Sequence, residues 1–445
     1  MLREPREETT EVAVVGAGLS GLTAARKLER WGIETLVLEA RDRVGGRTQA
    51  AEVGGVTVDL GGEWVDEAHS DMRRLCAELD VDLFPFEGSK TDARWHVGGE
   101  SHDGMPLSGG DERVYRRFTE ALVETSESVD LDHPWISAPS PDEDVSVEEW
   151  LRREGMSAEG LHVVETAVSS CGSTVPLSRM SFHAYAAKTA SRGGPGKGNE
   201  YRVRGGAGSV SRRLASELGE RVRISSPVTE ILQDESGVEV RWESPSGPGA
   251  VRARRVVLAL PFTLYSGIRF HPEPPPDIRD AISRSVYGVV RKMVFAFEGE
   301  VPVSALTVTD TSLGYLCRTQ AADGRDAVVS FAGGRPLLPE LGLSAGERER
   351  RALETLAEVH HELPEPVEVR EKLWPAEPWT RGSYMIPAPG DLYRFGASLG
   401  GSFGRAQLAG AEGVAVAPSF MNSAVRSGLA AGRRVAGAIR GRERV

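Results

Sequence analysis

Lysine is almost missing from this chain: of 53 basic residues only six are lysines, at positions 27, 90, 188, 197, 292 and 372. The bias toward arginine reads as genome composition, and against it each remaining lysine stands out as a candidate for a particular role. Cysteine is scarce as well, with Cys76, Cys171 and Cys317 odd in number and far apart. Such spacing forms no disulfide framework and no zinc site, so no metal is expected and a reducing cytoplasm is the simple reading. No stretch approaches the roughly 18 consecutive apolar residues needed to span a bilayer. The opening MLREPREETT is charged and lacks the apolar centre of a secretory signal, and the closing Gly-Arg-Glu-Arg-Val carries no membrane tail. A soluble cytoplasmic protein with no membrane partner is therefore expected. The formal charge of −12 argues against nucleic acid, whose phosphates want a basic face. It mildly favours the approach of a cationic small molecule.

A length of 445 residues exceeds what one hydrophobic core usually serves, so two domains are expected. Near the start, the apolar run Glu11–Val15 is followed by Gly16-Ala17-Gly18-Leu19-Ser20-Gly21. Leu22, Ala25, Leu28 and Trp31 then recur at helical spacing, Gly32 breaks the pattern, and Thr35–Leu38 runs into Glu39. This is a β-α-β unit with parallel strands. Further on, Val145–Arg153 and Ser209–Leu218 read as helices, and the Gly-rich Ser191–Asn199 as a flexible connection. Val222–Ile224, Val238–Trp242, Val251–Leu260 and Met293–Phe297 read as strands, with Ser244–Gly249 as a hairpin loop. The proline-dense His271–Asp277 marks a boundary, and Ala345–His361 reads as a solvated helix whose His360 and His361 face water.

A bare G-x-G-x-x-G is weak evidence. Here it follows a strand, opens a helix, and has an acidic residue 18 positions after its last glycine, which is the setting a dinucleotide fingerprint requires. Gly16 permits the tight turn, Gly18 lets the backbone approach a pyrophosphate, and Gly21 allows helix and strand to pack. The helix N-terminus, with Ala17 and Ser20 beside it, offers free N–H donors to phosphate. Glu39 would accept from ribose hydroxyls, and its charge disfavours a 2′-phosphate. The Pro-Gly-Lys-Gly within Gly193–Gly198 lacks the spacing and Ser/Thr of a P-loop.

The residues after Glu39 narrow the choice. Leu38-Glu39-Ala40-Arg41-Asp42-Arg43-Val44-Gly45-Gly46-Arg47-Thr48 resembles the extended FAD signature of the flavin-dependent amine oxidase family, which includes monoamine, polyamine and putrescine oxidases. In that family the arginines and the Gly-Gly-Arg turn hold the diphosphate, as suits a bidentate anion binder. Gly61-Gly62-Glu63-Trp64-Val65 resembles the segment that passes the isoalloxazine ring. Tyr201–Gly206 resembles the return to the FAD domain, and Val228 stands where the backbone meets adenine. Val256–Pro261 resembles a family strand-then-proline element. Gly410-Ala411-Glu412 resembles the family's Gly-Thr-Glu, with Glu412 near the ribityl and phosphate groups. Phe420–Ile439 reads as a helix whose N-terminus, at Met421, the resemblance places at the flavin pyrimidine edge. These blocks run in order from residue 12 to about residue 439.

The resemblance also implies catalytic roles. Gly288–Val294 is similar to the stretch bearing the family's flavin-site lysine, so Lys292 would hold a water against flavin N5, and strand alternation puts Arg291 on the opposite face. Tyr384, in Trp379–Tyr384, would form one wall of an aromatic cage, and Phe420 stands where the second wall is usually a tyrosine. Such walls guide an amine between them. Phe420 fits plain core packing nearly as well. Ser383 replaces the cysteine that some relatives join to the flavin, so FAD should be non-covalent. Asp66 stands where polyamine-oxidising relatives carry an acid; it reads either as an anchor for a distal ammonium or as a surface aspartate. The family's amino acid oxidases are expected to place an arginine in this segment, and Trp64 stands there instead.

The fold class expected is α/β: a Rossmann-like FAD-binding domain (1–80, 204–284, 377–445) with an inserted α+β substrate domain (81–203, 285–376). The activity expected is oxidation of a small-molecule amine by hydride transfer to flavin, with O2 as acceptor. A homodimer is compatible with the sequence and not specified by it. The rival readings are an amino acid oxidase, a monooxygenase, a flavin desaturase, or a flavin-free binding protein similar to GDP-dissociation inhibitors.

Overall fold

The computed structural model describes residues 8–86, 93–131, 133–195, 197–303, 306–321, 324–412 and 419–441. The charged N-terminus before Glu8, Lys90 and the last four residues lie outside these.

Val12–Val15 form the fully apolar end of a strand, Glu8–Val15. It pairs in parallel with Thr35–Leu38 on one side and Gly249–Leu258 on the other. Val222–Arg223 and Ala406–Leu408 extend the parallel set. Val238–Trp242 and Val228–Gln233 then turn it antiparallel, and with Arg269–His271 and Ser402–Phe403 the sheet has nine strands among the described residues. Three stretches far apart in sequence thus build one sheet around the first strand.

Two helices cover one face of this sheet. The helix Leu19–Glu29 follows the glycine turn and stops two residues short of Trp31, where Gly32 takes a positive φ of 73°. The C-terminal helix Met421–Ile439 lies directly on it. A Cβ on Gly428 would come within 2.2 Å of the Ser20 carbonyl oxygen, so glycine is what lets the helices approach this closely. Leu22, Ala25 and Leu28 bury their stripe against Val425, Ala431 and Val435.

A second sheet of seven described strands runs Glu368–Leu373, Val290–Ala296, Asp326–Gly333, Tyr315–Gln320, Leu306–Thr309, Arg94–Val97, Glu100–Asp103. It is antiparallel except where Leu306–Thr309 meets Arg94–Val97. Helices Gly109–Ser128, Val147–Arg153 and Phe182–Ala190 form a separate core around Phe118. No helix among the described residues is long and apolar enough to cross a membrane.

Two expectations are corrected. His360 is not solvent-facing: it caps the helix Ala345–Val359, is 2% exposed, and its Nε2 meets Thr307 Oγ1 at 3.0 Å. Only His361 faces water. Ser191–Asn199 is not a free connection either. Arg192 folds back over Gly198, bonds Asn199 Oδ1 at 2.9 Å and pairs with Asp66 at 3.0 Å.

Candidate active site

Gly16 turns the chain out of the first strand at φ +100°, where a Cβ would lie 2.6 Å from the Ala259 carbonyl oxygen. A Cβ on Gly21 would fall 1.9 Å from the Gly16 oxygen, the close helix–strand contact its position calls for. The following helix has no side-chain cap at Gly18, which leaves its first N–H groups for an anion. Glu39, at the end of the second strand, accepts from the backbone N–H of Ala17 at 2.8 Å and of Arg41 at 3.0 Å.

These groups open into one cavity, whose empty space with the open solvent beyond it is about 1550 Å³. Gly16, Gly18, Ser20 and Glu39 line it, with Ala40, Arg41, Gly46 and Arg47. Gly62, Val228, Lys292, Tyr384, Phe420 and Met421 line it as well. Ala17 and Gly21 lie beneath the lining, and Glu63, Trp64, Asp66 and Glu412 stand behind it.

The second layer is electrostatic. Lys292 is 2% exposed; its ammonium donates to the Asp59 carbonyl at 2.9 Å and to Glu63 Oε2 at 2.6 Å. Two of its three N–H bonds are used this way, and the side chain still reaches the cavity wall. Glu63 Oε1 also meets Arg202 Nε at 2.8 Å. Burial opposes ionisation of Glu63, but Lys292 and Arg202 outweigh it and hold its pKa below the ordinary carboxylate value. Asp59 goes the other way: burial first, then repulsion from Glu63, push it up to about 7. Trp64 turns from the cavity to donate to Tyr315 Oη at 3.2 Å, under the Arg202 guanidinium. Arg291 points oppositely to Lys292, as alternation requires, into a buried pair with Glu340.

Arg47 spans the cavity floor, donating to Glu412 Oε2 at 3.1 Å and to the Ser383 carbonyl at 2.9 Å. Arg41 donates to Thr380 Oγ1 at 2.7 Å. The C-terminal helix begins at Met421 with no side-chain cap, and Phe420, Met421 and Ala424 all line the cavity. The positive end of its dipole would stabilise negative charge there.

Tyr384 and Phe420 both face this space. The Tyr384 hydroxyl donates to the Gly172 carbonyl, on a π-helical turn, Thr166–Ser173. Phe420 packs against His69 with ring centroids 5.0 Å apart. Burial lowers the His69 pKa to about 4, so the imidazole is neutral at physiological pH. Asp66 is neither a surface residue nor open to a ligand: it is 0% exposed. Its carboxylate holds Arg192 Nε at 3.0 Å and the Asn199 N–H at 2.6 Å.

Sequence reasoning missed several wall residues, among them Phe331 and Trp374. Neither belongs to a motif read from the sequence. It also missed Lys188 and Arg192 beside the cage, although the scarcity of lysine was a usable signal for the first.

A glycine turn with no room for a Cβ, an uncapped helix N-terminus and a buried acid beside one cavity suit an adenine dinucleotide. They define a dinucleotide-binding protein. Residues 19–436 match the family model for flavin containing amine oxidoreductases, and the chain belongs to that family. It is 27% identical to a probable flavin-containing monoamine oxidase A of Dictyostelium discoideum, over 96% of this chain and 97% of that one. It is 27% identical to an L-amino acid dehydrogenase of Synechocystis sp., over 95% and 94% of the two chains. A solved putrescine oxidase bound to putrescine superposes with a TM-score of 0.87 at 28% identity, covering 96% of this chain and 99% of that one. The α/β architecture expected from the sequence is the fold of these enzymes. The protein is an FAD-dependent amine oxidase. With serine at position 383 and none of the three cysteines on the cavity wall, the FAD is held non-covalently.

Proposed function

We propose that this enzyme oxidises the C–N bond of a small amine to an imine, which water hydrolyses to a carbonyl and an amine or ammonia. The observation that carries this reading is that Lys292, Tyr384 and Phe420 share one cavity with the glycine cradle. When bound, flavin supplies the redox chemistry, taking a hydride at N5 and passing the electron pair to O2 to give hydrogen peroxide.

The chain's own residues do the positioning. Gly16, Gly18 and Ser20, with Arg41 and Arg47, would hold the diphosphate, Glu39 the ribose hydroxyls and Val228 the adenine. The helix N-terminus at Met421 would favour negative charge on the reduced ring system. Tyr384 and Phe420 would direct a neutral amine toward the reacting face. Lys292 would hold a water at N5 through the N–H it does not give to Glu63 or Asp59. On this reading residues 1–80, 204–284 and 377–445 carry the cofactor, and 81–203 with 285–376 shape the substrate side. The three free cysteines favour the reducing cytoplasm as its setting.

The test is stoichiometry. Purified enzyme given mono-, di- and polyamines and amino acids in air should yield one peroxide per carbonyl from one substrate class. An amide product would instead indicate a monooxygenase, and an alkene a desaturase.

A further inference from the structure

Among the described residues four cations line the cavity: Arg41, Arg47, Lys292 and Arg381. Three of them have carboxylates beside them that balance their charge. Arg41 lies 3.3 Å from both Glu39 and Glu377. Arg47 pairs with Glu412, and Lys292 with Glu63. Arg381 differs. Its guanidinium has no hydrogen-bond or ion-pair partner among the described residues, and it is exposed, where the cavity meets solvent.

The turn that carries Arg381 is held beside the glycine cradle. The residue takes a left-handed φ of 56°, which a residue with a Cβ rarely adopts. Its own N–H donates to the Glu377 carbonyl at 2.8 Å, and the Thr380 N–H donates to the same oxygen at 3.1 Å. Thr263 Oγ1 donates to the Thr380 carbonyl at 2.6 Å. Arg41 ties this turn to the cradle: it donates to Thr380 Oγ1 and to Glu39, and Glu39 accepts from the Ala17 N–H of the glycine turn. Backbone strain fixed by its surroundings in this way concentrates at ligand sites.

A dinucleotide brings a charged diphosphate into this cavity. The cradle meets it with N–H groups and a helix dipole rather than with a full charge. Arg41 and Arg47 offer donors there, but Glu39, Glu377 and Glu412 cancel their charge. We propose that Arg381 is a further FAD-binding residue, whose guanidinium pairs with the diphosphate and supplies the positive charge that the paired arginines do not. Arginine suits this role because its planar fork meets two phosphate oxygens at once. The assignment is independent of which amine the enzyme oxidises.

The experiment measures FAD affinity on the holoenzyme, from the rise of free-flavin fluorescence on serial dilution. It compares wild type, Arg381→Met, Arg381→Lys and Arg381→Gly from about 0.01 to 1 M salt, over which the screening length falls from roughly 30 to 3 Å. Arg381→Met should weaken FAD binding about tenfold at low salt, the low end for a hydrogen bond to a charged group because the site is exposed. The gap should close as salt rises. Arg381→Gly suits the left-handed backbone and keeps the turn, yet should lose affinity as the methionine variant does. Arg381→Lys keeps the charge without the fork and should fall between wild type and Arg381→Met. Methionine and glycine variants within twofold of wild type at low salt overturn the proposal, as does a lysine variant no tighter than methionine. A loss that glycine restores, or that salt leaves unchanged, also overturns it, because Arg381 would then support the turn and not bind phosphate.

Discussion

Replacing Glu63 with glutamine keeps the side chain's size and removes the one charge that Lys292 and Arg202 share. Both pairs are close, 2.6 and 2.8 Å, and all three side chains are at most 7% exposed. Breaking a buried pair from one side costs about 3–5 kcal/mol because a charge is left stranded. Here Asp59 softens the loss. Its pKa stands at about 7 through burial and Glu63's repulsion, while Lys292 and Arg202 pull it down. With Glu63 neutral, Asp59 ionises more readily and supplies part of the missing charge. The lower end, about 3 kcal/mol at pH 8, is therefore expected. The pH dependence has a definite sign. Between about pH 4 and pH 7 the native state of the wild type holds a proton on Asp59 that the unfolded chain has lost. Asp59's contribution is complete below its unfolded pKa and is lost as pH rises through 7, a span of at most roughly 4 kcal/mol. Glu63→Gln should flatten that slope. Urea denaturation of wild type and variant at half-unit pH steps measures both effects. A variant within about 1 kcal/mol of wild type at pH 8 would show that no buried charge was stranded. One that keeps the full acid-side slope would show that Glu63 does not set the Asp59 pKa.

Gly16→Ala places a Cβ against the Ala259 carbonyl at a positive φ; it should cost about 1–3 kcal/mol and leave purified protein with little flavin absorbance. A variant that retains full flavin would show the turn is not the cradle. Lys292→Met should lower kcat about 100-fold, the scale of a lost proton-positioning group. A drop under threefold in rapid-mixing assays of a folded variant would remove Lys292 from the mechanism. Tyr384→Phe keeps the wall and loses the bond to Gly172, costing about 1 kcal/mol of stability. Tyr384→Ala also loses the ring and should reduce kcat/KM about tenfold below Tyr384→Phe, since such ring contacts contribute up to about 2 kcal/mol. Equal kcat/KM for the two would mean the ring does not guide substrate.

The glycine turn and its flanking strands were legible because their signals are local. Glu8 to Leu38 is one β-α-β unit, and Val238–Trp242 forms the strand read from the sequence. Arg291 and Lys292 diverge because neighbours on a strand must. The rest depends on pairings that no spacing encodes. Asp66 finds Arg192 across 126 positions, so a residue that reads as surface acid or ligand anchor becomes buried scaffolding. His360 ends a charged helix, yet the chain's exit there turns it inward onto Thr307. Gly193, Gly194 and Gly198 of Ser191–Asn199 take positive φ of 90°, 115° and 106°, and Arg192 occupies the space a Cβ on Gly198 would fill. Lys188 reaches the cage only because the Thr166–Ser173 turn and its own helix meet there, which the sequence does not announce.

Amine oxidation by bound flavin is tested most directly by an anaerobic visible spectrum of the purified protein titrated with amines and amino acids. Oxidised-flavin bands should bleach with one substrate class and return on admitting air. A yellow protein that no amine or amino acid bleaches would contradict this.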